Sequence, residues 1–312
     1  MNKYIINWEL SLKCNLDCYF CSQKERRNKQ KSFLSFEDIK KIINNLPNNS
    51  HISFLWWETL IFPKIKEIFT TLEEKNVTYE ITTNWILLNQ FLDTFKTLKK
   101  LKQINISLDW YWDFHDISRW KKWLFNEIIE VIPELLNITE ISISTVITNN
   151  SEHNLVKLYK TLNNLWIKKH KLIYCMNFTK DDIKKSKEKI KDLHISSPGN
   201  SSIDNKLYKK QFLKSFLLLS KLNLNTNIYI EPTALFRNET LYCKQIEKQF
   251  RINEKGQLSI CEFIDNSFWN LLKERFEDIV KNNDFISLKN EIKSHFPLDV
   301  CKTCCKIYNK KD

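Results

Sequence analysis

The feature that most constrains the fold is a regular alternation of short apolar segments with longer amphipathic ones. Runs that are apolar or that alternate with period two predict buried strands, and apolar residues at helical spacing predict helices. The predicted strands cover 4–12, 51–55, 77–83, 103–109, 140–148 and 168–174, and the predicted helices cover 36–46, 63–75, 89–99, 123–136 and 152–165. Six such alternations, spaced by roughly 25 to 40 residues, favour an α/β fold with a parallel sheet and helices outside it.

The pattern becomes less regular after the sixth strand. Residues 178–206 are polar and predict a helix fragment and a loop, 207–222 predict an amphipathic helix, and 227–230 predict a strand. A chain of 312 residues can hold one large α/β domain with a small appendage. We therefore predict a first domain at 1–225 and a second at 226–312.

Three cysteines directly follow the first predicted strand. Cys14, Cys18 and Cys21 fall within eight residues. A structural zinc site needs four protein ligands, and no further cysteine or histidine lies nearby in the sequence. Three thiolates suit a 4Fe–4S cluster that keeps one iron open. We therefore predict an iron–sulfur site here, the alternative being three unrelated or zinc-binding cysteines.

This spacing, with Phe20 directly before the third cysteine, resembles the signature of the radical S-adenosylmethionine (SAM) enzymes. The resemblance implies a partial (β/α)6 TIM-like barrel in which Cys14, Cys18 and Cys21 ligate the cluster. In that family the open iron is chelated by SAM, whose reductive cleavage yields a 5′-deoxyadenosyl radical that abstracts hydrogen from the substrate. Functional residues of such barrels lie on the loops that follow the strands.

Other segments at predicted strand ends match motifs of the same family. Trp56-Trp57-Glu58-Thr59 resembles G-G-E-P, which holds the SAM amino group, although Thr59 replaces the usual proline. Thr82 to Trp85 resembles T-T-N-G, and Ser107 to Trp110 resembles S-L-D-G. The implied SAM contacts are Trp56, Trp57, Glu58, Thr59, Asn84, Ser107, Asp109 and Arg119.

Within this set, the resemblance implies that Ser107 and Asp109 meet the SAM ribose or the substrate. It also implies that Arg119 can fork onto the SAM carboxylate. For Asp109 and Arg119 an ordinary turn or surface role is the alternative. No protein residue is assigned to catalysis, because the cofactor's radical abstracts the hydrogen atom. We interpret His115, His153 and His170 as structural.

A second group of cysteines lies near the C-terminus. Cys243, Gly256 and Cys261 are spaced as at the start of the SPASM/Twitch type of auxiliary cluster domain, and Cys301, Cys304 and Cys305 follow. These five are fewer than a full SPASM domain carries, which favours the shorter Twitch form with one auxiliary 4Fe–4S cluster. The expected ligands are Cys243, Cys261, Cys301 and Cys304, with Cys305 able to substitute. A four-cysteine zinc site is the alternative. Cys175 is interpreted as a buried core residue.

The composition has one anomaly. The chain has two glycines and ten tryptophans, whereas average usage would give roughly twenty glycines. Nine of the tryptophans lie where a turn calls for glycine or where the matched motifs carry glycine; they are Trp56, Trp57, Trp85, Trp110, Trp112, Trp120, Trp123, Trp166 and Trp269. We hypothesise that these positions are UGA codons, which some bacterial lineages decode as glycine. The alternative is a truly tryptophan-rich, degenerate paralogue.

Charge and hydropathy restrict the partners. The formal charge is +12, but only six of the 49 basic residues are arginine, the residue on which nucleic-acid recognition chiefly depends. We therefore favour neither nucleic acid nor a membrane as a partner. Reduced cysteines and the lack of a leader-like segment favour a cytoplasmic protein.

Together these features predict a radical SAM enzyme that acts on a peptide or protein. The expected cofactors are SAM, the 4Fe–4S cluster that binds it and one auxiliary 4Fe–4S cluster, with a reducing donor of the flavodoxin or ferredoxin type. One alternative is a radical SAM enzyme of small-molecule or cofactor biosynthesis. The other is a non-catalytic iron–sulfur or zinc protein whose SAM site is blocked by tryptophan.

Overall fold

The structure is a computed structural model that describes residues 4–30, 32–55, 57–147, 152–174, 178–190, 193–195, 205–222, 224–231, 241–264, 269–304 and 307–309. Its main sheet contains seven parallel strands that lie side by side in chain order. They are β1 (Tyr4–Trp8), β2 (Ser50–Phe54), β3 (Thr78–Thr83), β4 (Leu101–Ser107), β5 (Glu140–Ile147), β6 (Lys169–Tyr174) and β7 (Asn227–Glu231).

Each pair of consecutive strands is connected through at least one helix. The helices are α1 (Phe36–Asn45), α2 (Ile65–Glu74), α3 (Leu92–Thr97), α4 (Asp113–Arg119), α5 (Leu124–Leu136), α6 (Glu152–Asn164), α7 (Lys180–Lys189) and α8 (Asn205–Ser220). Their apolar faces join the strands in one buried core. The predicted α/β fold, a partial barrel with helices on its outer surface, is confirmed.

Local sequence explains why most of these elements were predictable. Ser35 caps α1 in a capping box with Asp38, and Ile39, Ile42 and Ile43 bury one face of the helix. The short helix α4, by contrast, lies between the predicted strand 103–109 and the predicted helix 123–136, where no element was predicted. It spans seven residues, and the residue before it, Trp112, has a φ of 53° and provides no side-chain cap. Capping signals and apolar periodicity are therefore both weak there.

The C-terminal part contains β8 (Leu241–Cys243), α9 (Lys244–Lys248), β9 (Gln249–Ile252), β10 (Gln257–Ser259), β11 (Trp269–Asn270), α10 (Phe276–Lys281), α11 (Asn283–Ser294) and β12 (Ile307–Asn309). Strand β9 pairs in parallel with β1, and β10 and β11 extend the same sheet in antiparallel fashion. Strands β9 and β10 form a hairpin that turns at Lys255-Gly256. The C-terminal region is thus hydrogen-bonded to the first strand of the barrel.

The two faces of the parallel sheet differ in polarity. Side chains such as Ile52 and Ile104 belong to the core shared with the helices. The opposite face carries Ser53, Glu80 and Gln103, which are neighbours across β2, β3 and β4. Ser53 donates a hydrogen bond to Glu80 over 2.5 Å, and Gln103 donates to Glu80 over 3.4 Å. The inner face of the barrel is therefore lined with hydrogen-bonding groups rather than filled with branched apolar side chains.

His170 provides a pH test of the helix-facing core. It is fully buried on β6, its Nε2 lies 2.8 Å from Thr145 Oγ1, and burial lowers its pKa to about 3. Because the unfolded chain binds a proton near pH 6.5 and the folded chain does not, the stability contributed by this group is present above pH 6.5. It is lost progressively as the pH falls towards 3. We expect a loss of about 2 kcal/mol between pH 6.5 and pH 5.

The measurement is urea unfolding as a function of pH for the wild type and His170→Gln. The variant should show a shallower decline in the free energy of unfolding below pH 6.5. The same substitution at the exposed His295 is the control. Parallel declines in the wild type and His170→Gln would contradict the expectation.

Candidate active site

The cysteine loop leaves the end of β1 and folds into a series of tight turns. Cys21 N–H donates to Cys18 O, and Lys24 N–H donates to Cys21 O, each over 3.2 Å. The backbone N–H groups of Leu16 and Gln23 hydrogen-bond to the thiols of Cys14 and Cys21, respectively. These turns bring the three thiols close enough to influence one another electrostatically.

Burial sets the protonation of these thiols. It raises the pKa of Cys14 and Cys21, and it raises the pKa of Cys18 to about 11, while the nearby Arg119 opposes the shift in all three. The metal-free thiols are thus neutral at pH 7. Thiolates in this position need a positively charged partner, which an iron cluster supplies together with Arg119.

Glu58 follows β2 and is fully enclosed beside the next strand. Its carboxylate accepts hydrogen bonds from Asn84 N over 2.7 Å, Thr83 Oγ1 over 2.9 Å and Leu60 N over 3.1 Å. Burial raises its pKa to about 7, although these donors oppose the shift. Glu58 can therefore carry or release a proton near neutral pH, and its orientation is set by three donors.

Asn84 connects Glu58 to the cysteine loop. Its side-chain amide donates to Asn15 Oδ1 over 2.8 Å and points to the sulfur of Cys14 at 3.7 Å, while its backbone N–H is bound by Glu58. The loops after β1, β2 and β3 therefore meet in one hydrogen-bonded group. The sequence predicted this convergence because parallel strands end at the same edge of the sheet.

Asp109 and Arg119 form a buried ion pair after β4. Arg119 Nε and one terminal nitrogen both bind Asp109 Oδ2, at 2.8 and 2.6 Å, and Val146 N–H donates to Oδ1 over 2.8 Å. The guanidinium also lies over the ring of Phe20 at 5.8 Å. Burial lowers the pKa of Arg119, but the opposing effect of Asp109 and the nearby cysteines is larger. The pKa is therefore raised overall, and the guanidinium is charged.

His115 supports the loop that carries this pair. It is fully buried on α4, and its Nδ1 lies 2.9 Å from Asp109 N and 3.0 Å from Asp109 O. Burial and the charge of Arg119 lower its pKa well below the usual range, so it is neutral. The position agrees with the structural interpretation made from the sequence.

The remaining predicted SAM contacts have different surroundings. Thr59 is buried and donates to Thr82 O over 3.2 Å, and Ser107 is partly buried at the end of β4. Trp57 is buried, and its indole N–H donates to Glu9 Oε1 over 2.6 Å. Trp56 lies outside the described residues, as do Cys175 and Cys305 and the side chain of His153.

A charged cluster at the same edge was missed from the sequence. Glu9 is buried between Arg251 of β9 and Arg26 of the cysteine loop, with nitrogen–oxygen distances of 2.6 and 3.0 Å. Burial would raise the pKa of Glu9, but the two arginines hold it below its usual value. The available signal was the one carboxylate in the first predicted strand, and its partner Arg251 is 242 residues away.

The C-terminal cysteines converge from three elements. Cys243 ends β8, Cys261 follows β10, and Cys301 lies in a short 3₁₀ helix at Asp299–Thr303, with the buried Cys304 directly after it. Burial and the nearby Cys243 raise the pKa of Cys261 to about 12. The pKa of Cys301 is also raised, mainly by burial and to a smaller extent by the nearby Cys261 and Cys243. These three thiols therefore lie within electrostatic range of one another.

Within the described ranges, no three cysteine, histidine or acidic side chains are grouped so that they could hold a single metal ion. This result concerns a site for one metal ion. In a 4Fe–4S cluster each thiolate binds a different iron, so the thiolates lie further apart than around a single ion. In the first loop, the three thiols, their backbone N–H donors and the charge of Arg119 fit a cluster with one open iron.

Comparison with known proteins identifies the class. Residues 8–162 match the family model described as the Radical SAM superfamily. A probable GTP 3′,8-cyclase of Methanococcus maripaludis (strain DSM 14266) is 29% identical over 112 residues, which are 34% of this chain and 37% of that protein. The chain thus spans about a third of the length of the curated relatives it matches.

Solved structures share the fold over nearly the whole chain. SuiB of Streptococcus suis bound to S-adenosylmethionine has a TM-score of 0.70 at 14% identity, covering 97% of this chain and 72% of its own. Native anSMEcpe with bound AdoMet and Cp18Cys peptide has a TM-score of 0.63 at 19% identity, covering 96% of this chain and 88% of its own.

The fold and the matched region define the class: residues 8–162 match the radical SAM superfamily, whose domain holds a 4Fe–4S cluster and SAM. Within the described residues, no helix is both long and apolar enough to span a membrane.

Proposed function

We propose that this enzyme is a two-cluster radical SAM enzyme that abstracts hydrogen from a peptide or protein, with electrons from a flavodoxin- or ferredoxin-type donor. The observation that carries the proposal is the fold match to SuiB and anSMEcpe, which extends over 96–97% of the chain and so reaches well beyond residues 8–162. Both neighbours have been solved with peptides, SuiB with its precursor peptide SuiA and anSMEcpe with Cp18Cys.

Cys14, Cys18 and Cys21 would hold the cluster that binds SAM. When bound, this cluster supplies the electron that cleaves SAM to the 5′-deoxyadenosyl radical. The protein's part is to bind and orient SAM and the substrate and to seclude the reacting groups. The turns of the cysteine loop hold the thiols on one side, and Arg119 places a fixed positive charge beside them.

Glu58, Asn84, Asp109 and Arg119 would position SAM. Glu58 is oriented by Asn84 and Thr83 beside the cysteine loop, where its carboxylate can receive an ammonium group. Asp109 holds two nitrogens of Arg119, so the guanidinium reaches the site in one fixed orientation. The proposed set of SAM contacts also includes Ser107, Thr59, Trp56 and Trp57.

Cys243, Cys261, Cys301 and Cys304 would ligate the auxiliary cluster, with Cys305 as the substitute. Three of their thiols influence one another's pKa, and Cys304 follows directly in the same turn, where its N–H donates to Cys301 O over 3.1 Å. Four thiolates are sufficient for one 4Fe–4S cluster.

The polar inner face of the barrel supports a peptide as substrate. Ser53, Glu80, Gln103 and Asn105 present donors and acceptors along adjacent strands, joined by hydrogen bonds of 2.5 to 3.4 Å. A peptide backbone carries one donor and one acceptor at almost every residue. A barrel lined in this way can exchange its internal hydrogen bonds for bonds to such a substrate.

The test is anaerobic reconstitution of the protein made with glycine in place of the suspect tryptophans other than the well-packed Trp269, namely Trp56, Trp57, Trp85, Trp110, Trp112, Trp120, Trp123 and Trp166. We expect about eight irons per chain, four for each cluster, and release of 5′-deoxyadenosine under reducing conditions. The substrate class is read from deuterium transfer into 5′-deoxyadenosine, with a deuterated peptide pool compared against a deuterated nucleotide pool. Cys18→Ala in the same background is the control.

Each result decides a different part of the proposal. Transfer from peptides alone supports it, and transfer from nucleotides alone replaces it with a small-molecule reaction, as the name of the cyclase relative suggests. About four irons with SAM cleavage would overturn the auxiliary cluster. No cleavage would leave a metal-binding protein without radical chemistry.

A further inference from the structure

The tryptophans of this chain adopt a backbone conformation that tryptophan rarely takes. Among the described residues, nine other than glycine have φ between 53° and 85°, and six of these are Trp85, Trp110, Trp112, Trp120, Trp123 and Trp166. Two of the other three are asparagines, which tolerate this region. For a bulky L-residue, positive φ is a strained state, whereas glycine adopts it without a steric penalty.

Four of these six indoles gain little packing that could offset the strain. Trp112, Trp120, Trp123 and Trp166 are 52 to 76% exposed. Trp120 also ends α4 in the left-handed conformation, with its N–H bound to the carbonyls of Asp116 and Ile117. This is the helix-terminal position at which glycine is strongly preferred.

The other two lie at the candidate active site. Trp85 and Trp110 directly follow Asn84 and Asp109 and are buried. The indole nitrogen of Trp110 has no hydrogen-bond partner among the described residues. Burying an indole N–H without a partner is unfavourable, so this position combines backbone strain with an unsatisfied donor.

Other positions show what a fitting residue looks like. Trp8 lies within β1 without a positive φ, and its ring packs 5.8 Å from that of Phe54. Its indole nitrogen also has no hydrogen-bond partner among the described residues, so the backbone conformation is what distinguishes Trp110 from Trp8. Trp269 in β11 likewise has no positive φ and packs 4.8 Å from Phe285. Gly256 has a φ of +75°, and a Cβ built there would lie 2.8 Å from Ile42 Cδ1. The one described glycine thus occupies a position that requires it.

We infer that the polypeptide made in its own cells carries glycine at positions 85, 110, 112, 120, 123 and 166. The inference rests on backbone conformation and is independent of the proposed reaction. Glycine at 85 and 110 would also remove two indoles from the loops that carry Asn84 and Asp109, beside the cysteine loop. UGA codons decoded as glycine account for all six positions at once.

The first test is peptide mapping by mass spectrometry of the protein purified from the organism that encodes it. We expect glycine-containing peptides at all six positions and UGA at the corresponding codons. Tryptophan in those peptides, or UGG codons, would overturn the inference. This measurement does not depend on folding or activity of a recombinant variant.

The second test separates backbone strain from the bulk of the indole. At each of the exposed positions 112, 120, 123 and 166, glycine and alanine variants are compared, since both remove the ring but only alanine keeps a Cβ. We expect each glycine variant to melt about 2 °C or more above its alanine partner. The reference pair is Trp8→Gly and Trp8→Ala, where the order should reverse because position 8 lies inside a strand. Alanine variants as stable as the glycine variants at all four positions would overturn the inference.

Discussion

Replacing Cys18 with alanine is expected to abolish reductive cleavage of SAM and to remove about four irons per chain from the reconstituted protein. Cys18 is one of the three thiols of the loop, and burial raises its pKa to about 11 in the metal-free state. Two remaining thiolates cannot hold the cluster with a single iron open to SAM. The measurements are iron content and the rate of 5′-deoxyadenosine release, which should fall to the rate without enzyme.

Cys261→Ala is the matched control, because it removes a thiol from the proposed auxiliary site instead. It should also lower the iron content by about four while SAM cleavage continues without substrate. Circular dichroism should show that both variants keep their helical content, since neither cysteine lies in a helix. Persistent SAM cleavage by Cys18→Ala would refute the assignment of the cysteine loop.

Replacing Arg119 with methionine should cost about 3–5 kcal/mol in the free energy of unfolding of the cofactor-free protein. The substitution keeps most of the side-chain volume but leaves the carboxylate of Asp109, which is 0% exposed, with the Val146 N–H as its remaining partner. An unpaired buried charge is costly because the interior solvates it poorly. Urea unfolding near pH 7 measures the change.

A second substitution distinguishes charge from packing. Asp109→Asn in the Arg119→Met background should recover a large part of the lost stability, because the unpaired charge is then gone. Lys185→Met, which breaks the exposed pair with Asp181, should leave the unfolding curve unchanged. If the double variant is no more stable than Arg119→Met, the loss reflects packing against Phe20 and not the ion pair.

Much of the site could be predicted from the sequence because its residues follow strands. Cys14, Glu58, Asn84 and Asp109 each lie at the end of a predicted strand or shortly after it, and parallel strands end at one edge of a sheet. The structure places Asn84 between Glu58 and the cysteine loop in agreement with that reasoning. The helix α4, the neutral His115 and the role of Glu9 could not be predicted in this way, because none of them has a distinctive local pattern.

The sequence by itself determined the order of strands and helices, the parallel sheet and the loops on which the chemistry depends. These properties follow from local periodicity, helix capping and the spacing of cysteines, all of which act over short stretches of chain. Only the tertiary structure decided that Arg119 is held by Asp109, that Glu9 pairs with Arg251, and that six tryptophans stand at positive φ. Such pairings depend on side chains that are distant in sequence and on backbone angles set by packing, and neither is encoded in a local pattern.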